Sequence, residues 1–164
     1  MVDFSKIKFN SSGFWIHQAF IEVLSEYICE VFENIGVNTF SGGLQKIYGY
    51  CDLNRSGASV GMVNILFDKG ITSAEDKTVL VDVLNVTKTL IASKGTELKI
   101  DILDAFESRK VDDSFRIRWD FPIKTQSLIT TIDMIIQVLN GTWASENQCF
   151  HYTGFPNKGD MLEI

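Results

Sequence analysis

Residues 12–36 read SGFWIHQAFIEVLSEYICEVFENIG, and this stretch carries the pattern of an amphipathic helix. Its apolar residues recur at steps of three and four, which places them on one helical face. These residues are Ile16, Phe20, Val23, Leu24, Tyr27, Ile28, Val31 and Ile35. Ser12 is expected to cap the start of the helix, and Gly36 is expected to end it.

The segments that follow predict a hairpin and a second helix. Residues 44–53 and 58–67 alternate loosely and are rich in aromatic and β-branched side chains, with a turn at 54–57 between them, which favours two paired strands. Residues 72–75 read TSAE, the spacing of a capping box in which Thr72 begins a helix. That helix is expected to end at Gly95.

The last third of the chain predicts two more strands, a helix and a final strand. Residues 98–103 and 115–120 alternate apolar and polar side chains, residues 125–140 have helical spacing before Gly141, and a strand is expected near 148–153. The order is α-β-β-α-β-β-α-β. We therefore expect an α+β fold with about three helices and an antiparallel or mixed sheet. It forms one domain over residues 1–164, with 155–164 as a surface tail.

Charge and hydropathy exclude several classes of function. The 164 residues include 21 acidic and 15 basic side chains, a net charge of −6, and the pI is about 4.9. Nucleic-acid binders depend on a basic surface, so nucleic acid is not the expected partner. No run of 18 apolar residues predicts a membrane span, and the start of the sequence does not resemble a signal peptide. A cytoplasmic protein is expected.

The cysteines and histidines do not predict a metal or cofactor site. Cys29, Cys51 and Cys149 are widely separated in apolar surroundings, as buried reduced thiols are. His17 and His151 belong to none of the short motifs that bind transition metals. Phosphate-binding glycine loops are also absent from the sequence, so we expect no cofactor.

One catalytic alternative stays open at Ser59. Residues 57–61 read GASVG, a G-x-S-x-G pattern, and His151 follows far downstream as in some serine hydrolases. The pattern is catalytic when the serine stands on a tight turn from a strand into a helix. Here the following residues, 62–67, favour a strand, so a small serine hydrolase is the weaker interpretation.

Acidic residues are unevenly distributed, and the first concentration lies on the opening helix. Residues 9–45 contain four glutamates and no lysine or arginine, a local charge of −4. These are Glu22, Glu26, Glu30 and Glu33. Their steps of four, four and three place them on one side of the helix, where like charges repel. A solvated helix face is the ordinary explanation, and a landing surface for a basic partner is the functional one.

A second concentration lies in residues 97–113, where six acids face three bases, so the local charge is 3 − 6 = −3. Its candidate partner-binding residues are Asp101, Asp104, Glu107, Asp112 and Asp113. Asp112 and Asp113 are also the obvious pair for Mg²⁺ or acid–base chemistry, but no nucleophile or phosphate loop is near them in the sequence. Concentrated negative charge speeds encounter with a positively charged partner.

The sequence resembles the immunity proteins of bacterial contact-dependent growth inhibition and related polymorphic toxin systems. The resemblance covers the whole chain in size, acidity and element order. The segments that contribute to it are residues 15–20 (WIHQAF), 50–54 (YCDLN) and 151–156 (HYTGFP). It implies a cytoplasmic protein without catalytic activity that binds a cognate toxin domain, in many cases a basic nuclease, and occludes it stoichiometrically. A non-catalytic adaptor that associates with itself is a further alternative.

Overall fold

The first described element is a β-hairpin, where the sequence had predicted the start of a helix. The computed structural model describes residues 4–59, 62–144, 146–151 and 162–163. Strand β1 (Phe4–Phe9) pairs antiparallel with β2 (Ser12–His17). Asn10 and Ser11 between them have φ of 49° and 70°, the left-handed conformation found in type I′ hairpin turns. Ser12 is therefore a strand residue, and the prediction that it caps a helix is wrong.

Helix α1 (Gln18–Ile35) follows directly and is the central element of the core. His17 caps it, because its Nδ1 accepts a hydrogen bond from the amide of Ala19 at 3.0 Å. The apolar face predicted from the sequence is buried from Phe20 to Val31. Gly36, with φ of 111°, ends the helix as predicted.

The predicted hairpin at residues 44–67 is wrong, because its first half is helix α2 (Gly42–Ser56). Ser41 caps this helix, and the residues it buries are Leu44, Ile47, Cys51 and Asn54. These lie three or four residues apart, so they form one buried stripe along the helix. The strand was predicted because the tyrosines of this segment have a high strand propensity. The part of residues 58–67 that the structure describes contains no strand, and α3 (Phe67–Gly70) is a single helical turn.

Helix α4 (Ala74–Ala92) confirms the second predicted helix with its ends shifted. The capping residue is Ser73, whose hydroxyl accepts from the amide of Asp76 at 3.0 Å, so the box begins one residue later than predicted. The helix ends at Ala92, before Gly95.

Both strands predicted between residues 98 and 120 are wrong. Only β3 (Glu97–Leu98) and β4 (Ile123–Lys124) pair here, over two residues each. Residues 100–108 form α5 (Ile100–Ser108), in which Leu103 and Glu107 are buried one turn apart. Residues 116–120 have no regular structure although their side chains alternate, because their backbone has no neighbouring strand.

The C-terminal elements complete one mixed sheet. Helix α6 (Thr125–Asn140) ends at Gly141, as predicted. Strands β5 (Glu146–His151) and β6 (Leu162–Glu163) run parallel to their neighbours, and the sheet has the order β1-β2-β5-β6. Of the tail predicted at 155–164, only residues 162–163 lie within the described part of the chain.

The α+β class is confirmed, but the number and order of elements differ from the prediction. The described residues form six α-helices, and the order is β-β-α-α-α-α-β-α-β-α-β-β. Buried apolar side chains from the sheet and the helices form one core. Helix α1 packs against α2, α4 and α5.

Candidate functional site

The two acidic segments of the sequence meet along one side of α1. Glu22 and Glu26 of α1 contact Lys110 and Arg109, which follow the C-terminal end of α5. Lys110 lies 88 positions after Glu22 in the chain. The packing of α5 on α1 therefore places basic side chains beside glutamates that have none nearby in the sequence.

Lys110 stands at the centre of this charged cluster. Its side chain is only 3% exposed, and its ammonium contacts the carboxylates of Glu22 and Glu107, the second at 2.7 Å. It also donates to the carbonyl of Phe115 at 3.1 Å. Such partners are required, because a buried ammonium that lacks them is strongly destabilising. Glu22 and Glu107, both predicted to face a partner, thus neutralise a cation of their own chain.

Glu107 also holds the irregular segment that follows α5. Its Oε2 accepts a hydrogen bond from the amide of Ile117 at 2.9 Å, and its Oε1 accepts from the indole Nε1 of Trp119 at 3.2 Å. The carboxylate therefore satisfies the backbone amide of Ile117, as a neighbouring strand would have done, and it also fixes the side chain of Trp119. Glu107 is buried and acts as a structural anchor.

Burial dominates the electrostatics of the two inner glutamates. It raises the pKa of Glu22 to about 7, against the opposing attraction of Lys110. Burial also raises the pKa of Glu26, although Arg109 lies 2.9 Å from its carboxylate and lowers the pKa in part. Desolvation disfavours the charged form of a carboxyl group, which explains both directions. These two side chains contribute little exposed negative surface.

The outer glutamates of α1 differ from each other. Glu33 is exposed, and it contacts Arg55 of α2 and accepts from the hydroxyl of Tyr48 at 2.9 Å. The Arg55 guanidinium lowers the pKa of Glu33. Glu30 is half-buried and has no ion pair in the described part of the chain. Three of the four glutamates are therefore paired within the protein, and the ridge lacks the uncompensated charge inferred from residues 9–45 alone.

The second acidic segment keeps most of its carboxylates exposed. Asp101 and Asp104 lie on the outer face of α5 and form no ion pair with any residue that the structure describes. Hydrogen bonding by the side chain and the backbone amide of Ser114 lowers the pKa of Asp112, and the amide donates at 2.8 Å. Asp113 pairs with Arg116 at 2.8 Å. This part of the predicted site is available to a partner.

Two apolar side chains that the sequence analysis did not single out flank these aspartates. Val111 is 73% exposed and Phe115 is 54% exposed. Both lie on residues 111–116, which we call the 111–116 turn. The amide of Val111 donates to Ser56 at the end of α2, at 2.9 Å, and the carbonyl of Phe115 accepts from Lys110. In the sequence, this surface corresponds to residues 111–115 (VDDSF), in which Val111 and Phe115 stand on either side of three polar residues.

Ser59 lies in a context unlike that of a nucleophilic serine. It follows α2 and its C-cap Gly57, and the described residues around it, 58–59 and 62–66, form neither strand nor helix. The hydroxyl of Ser59 donates to the amide oxygen of Asn54 at 2.9 Å. An amide oxygen does not act as a general base, so this contact does not activate the hydroxyl.

The thiols and imidazoles are placed as structural groups where their side chains are described. Cys29 and Cys51 are buried and reduced, as predicted, and the contact with Cys51, together with burial, raises the pKa of the Cys29 thiol. His17 caps α1, while the side chains of Cys149 and His151 lie outside the described part. Among the described residues, no three His, Cys, Asp or Glu side chains are grouped so that they could hold a metal ion.

Comparisons with known proteins do not assign this chain to a family. No family model, no curated protein and no solved structure matches it. Of the helices that the structure describes, none combines the length and the apolar character needed to cross a membrane.

Proposed function

We propose that this protein binds another protein and inhibits it stoichiometrically, as an immunity protein does for a bacterial toxin domain. The observation that carries the proposal is the 111–116 turn, on which exposed Val111 and Phe115 flank Asp112 and Asp113. Aromatic side chains are enriched in the core of protein interfaces, and polar or charged groups form the rim around them. The binding face extends along α5 to the exposed Asp101 and Asp104.

The turn is held in place from both sides, which favours binding. Val111 bonds to α2, Phe115 bonds to Lys110, and the guanidinium of Arg116 donates to the carbonyl of Ser108 at 3.2 Å. An interface loop that is already ordered loses less conformational entropy when a partner binds it. These bonds therefore support a role for the exposed side chains in contact with a partner.

A basic partner fits the charge of this face. Asp101, Asp104 and Asp112 have no ion pair within the described residues. Each carboxylate can therefore form an ion pair with a lysine or arginine of a partner. A nuclease toxin carries basic side chains where it binds phosphate, and an acidic face placed there excludes the nucleic acid. We therefore propose inhibition by occlusion in the cytoplasm, without turnover.

Co-expression tests the proposal. The chain is produced together with the C-terminal domain of the protein encoded immediately upstream, and growth and complex mass are measured. We expect protection from the toxin and a 1:1 complex, whose affinity falls at least about tenfold in Phe115→Asp, because truncated hot spots lose 1–2 kcal/mol or more. Val86→Asp is the matched control, since Val86 is 49% exposed on α4.

Three results would contradict the proposal. One is that the chain neither protects cells nor forms a complex with that domain. Another is that Phe115→Asp and Val86→Asp weaken binding equally, which would remove the assignment of the face. A symmetric dimer that buries Phe115 in light scattering and crosslinking would instead support the self-associating adaptor.

A further inference from the structure

A single asparagine of the chain is followed by glycine, and this pair stands at the end of helix α6. Asn140 is the last residue of the helix, and Gly141 is its C-cap with φ of 73° and ψ of 17°. Both residues are exposed, and nothing lies within 4 Å of a Cβ added to Gly141. The side chain of Asn140 forms no hydrogen bond with any residue that the structure describes. Its carboxamide is therefore not held by the fold.

The pair contains the two groups of an intramolecular reaction. The backbone nitrogen of Gly141 closes a small ring when it attacks Cγ of Asn140, and a reaction between atoms of one chain avoids the entropy cost of bringing two molecules together. Glycine has no Cβ to hinder this approach and tolerates the backbone rotation that it requires. Asparagine is for such reasons a thermolabile residue in proteins.

The attacking nitrogen lies where the helix opens at least cost. The amide of Gly141 donates to the carbonyl of Val138 at a long 3.3 Å, within the last turn of α6, and residues 142–144 beyond it form neither helix nor strand. Helix ends fray, and they open with much smaller free energies than the interior of a packed helix. The nitrogen can therefore leave its hydrogen bond while the core stays folded.

Asn85 provides the contrast within the same protein. It is also exposed on a helix, but it lies in the middle of α4, where its carbonyl accepts from the hydroxyl of Thr89 at 3.3 Å. The next residue is the β-branched Val86. Exposure alone therefore does not distinguish the two asparagines, whereas the following residue and the position in the helix do.

We propose that Asn140 is a site of spontaneous deamidation with water as the only co-reactant. The nitrogen of Gly141 bonds to Cγ of Asn140, and the bond from Cγ to the side-chain nitrogen breaks, so that this nitrogen leaves as ammonia with the proton of the Gly141 amide. One water then opens the cyclic succinimide. Opening at Cγ gives aspartate, and opening at the backbone carbonyl gives isoaspartate, in which the chain runs through the former side chain. The inference does not depend on the proposed function.

The isoaspartate product alters the connection between α6 and the sheet. The amide of Thr142 donates to the carbonyl of Gln137 at 3.0 Å, and the indole of Trp143 donates to the carbonyl of Gly13 in β2 at 3.2 Å. The Trp143 ring also packs on Phe14, with centroids 5.4 Å apart. Isoaspartate adds a methylene to the backbone just before these contacts and displaces them. Aspartate keeps the backbone length and adds only a negative charge at the helix C-terminus, which the helix dipole disfavours modestly.

Peptide mapping by mass spectrometry tests the reaction in the intact protein. The purified chain is incubated at neutral and at mildly alkaline pH before digestion, and each asparagine is followed over time. We expect Asn140 to deamidate at least about tenfold faster than Asn85, with isoaspartate among the products and a higher rate at alkaline pH, where the attacking nitrogen loses its proton more readily. Equal rates at the two positions, or aspartate without isoaspartate, would overturn the inference.

Two variants separate the dipeptide from its place in the fold. Val86→Gly creates the same asparagine–glycine pair inside α4, and we expect its Asn85 to react about threefold to tenfold more slowly than Asn140, because a helix interior must open first. An equal rate would refute the role of the helix end. Asn140→Gln is expected to abolish isoaspartate at this position, since glutamine would have to close a larger ring.

The structural consequence is tested on the isolated isoaspartate form, with freshly prepared Asn140→Asp as the matched control. NMR spectra report the indole signal of Trp143 and the amide signals of β2. We expect both to shift in the isoaspartate form and to stay close to those of the wild type in Asn140→Asp. Unchanged signals in the isoaspartate form, or equal shifts in both proteins, would refute the displacement of Trp143.

Discussion

At the scale of single residues, Lys110 links the packing of α1 and α5 to the 111–116 turn. It is buried between Glu22 and Glu107, and it also fixes the backbone of the 111–116 turn through the carbonyl of Phe115. Removing one member of a buried ion cluster leaves the opposite charges uncompensated, which is the costly way to break it. Stability and the geometry of the proposed interface therefore depend on the same ammonium group.

Replacing Lys110 by methionine is predicted to destabilise the fold by about 3–5 kcal/mol, because two carboxylates lose their buried cation. Urea unfolding at pH 7 measures the change. Lys88→Met is the control, since Lys88 pairs with Asp133 in a partly exposed surface contact that contributes roughly 0–1 kcal/mol. If the two substitutions had equal effects, Lys110 would not have the structural role assigned to it.

Glu22 is predicted to make stability depend on pH in the neutral range. Its pKa is about 7 when folded and 4.5 in its ordinary state, so the folded chain holds this proton more tightly. The contribution is fully present below pH 4.5 and is lost as pH rises through 7. Between pH 5 and pH 8 the free energy of unfolding falls on the order of 2 kcal/mol from this group.

Glu22→Gln isolates that contribution. Glutamine cannot titrate, so the variant is expected to lose this part of the pH dependence, while the contribution of Glu26 to the slope, which has the same sign, is retained. Urea midpoints at half-unit steps from pH 5 to pH 8 provide the comparison. Parallel curves for the two proteins would show that Glu22 does not titrate in this window.

At the scale of elements, helices with a wide apolar stripe were predictable and elements defined by long-range contacts were not. The body of α1, α4 and α6 follow from three- and four-residue spacing, and Gly141 ends α6 as expected. Helix α2 was missed because its tyrosines and Ile47 favour strands intrinsically, while its burial depends on packing against α1. The irregular segment 116–120 was missed because the carboxylate of Glu107, and not another strand, satisfies the amide of Ile117.

Two glycines of α2 are predicted to respond to alanine with opposite signs. Gly57 ends the helix at φ of 70°, and an added Cβ would lie 3.1 Å from the side chain of Lys110. Gly49 is inside the helix, where nothing lies within 4 Å of an added Cβ. Gly57→Ala should therefore destabilise by about 1 kcal/mol or more, and Gly49→Ala should stabilise by roughly 0.5–1 kcal/mol.

Thermal and urea unfolding of these two variants distinguishes helix-ending geometry from general helix propensity. Propensity alone would make alanine favourable at both positions. Stabilisation by Gly57→Ala would mean that this residue can leave the left-handed conformation, and the C-terminal boundary of α2 would then be wrong.

At the scale of the whole molecule, folding redistributes the net charge of −6. Cations from residues 55, 109 and 110 cover much of the acidic ridge of α1, and no pattern in a single sequence reveals which distant cation will arrive there. In the second acidic segment, Asp101, Asp104, Asp112 and Asp113 are exposed and Glu107 is buried. That the four aspartates contact a partner stays a prediction. The exposed apolar pair, Val111 and Phe115, could only be recognised once the turn was placed outside the sheet.

This redistribution predicts which charge reversal slows association with a basic toxin domain. Asp104 lies on α5 at the rim of the proposed binding face, and Asp82 is exposed on α4. Each change to lysine alters the net charge by the same +2, so long-range attraction to the whole molecule falls equally in both. Only Asp104→Lys also changes the local potential that orients the partner, and we expect its association rate to fall about threefold to tenfold further than that of Asp82→Lys.

Ionic strength tests the same prediction, because exposed charges are screened over about 10 Å at 0.1 M salt. Stopped-flow association rates measured from about 0.02 M to 0.5 M salt should converge for the wild type and both variants, while dissociation rates stay nearly unchanged. A difference between Asp104→Lys and Asp82→Lys that persists at high salt would indicate a short-range contact at Asp104. Identical association rates of Asp104→Lys and Asp82→Lys at low salt would show that α5 does not orient the partner. The electrostatic face would then lie on another part of the surface.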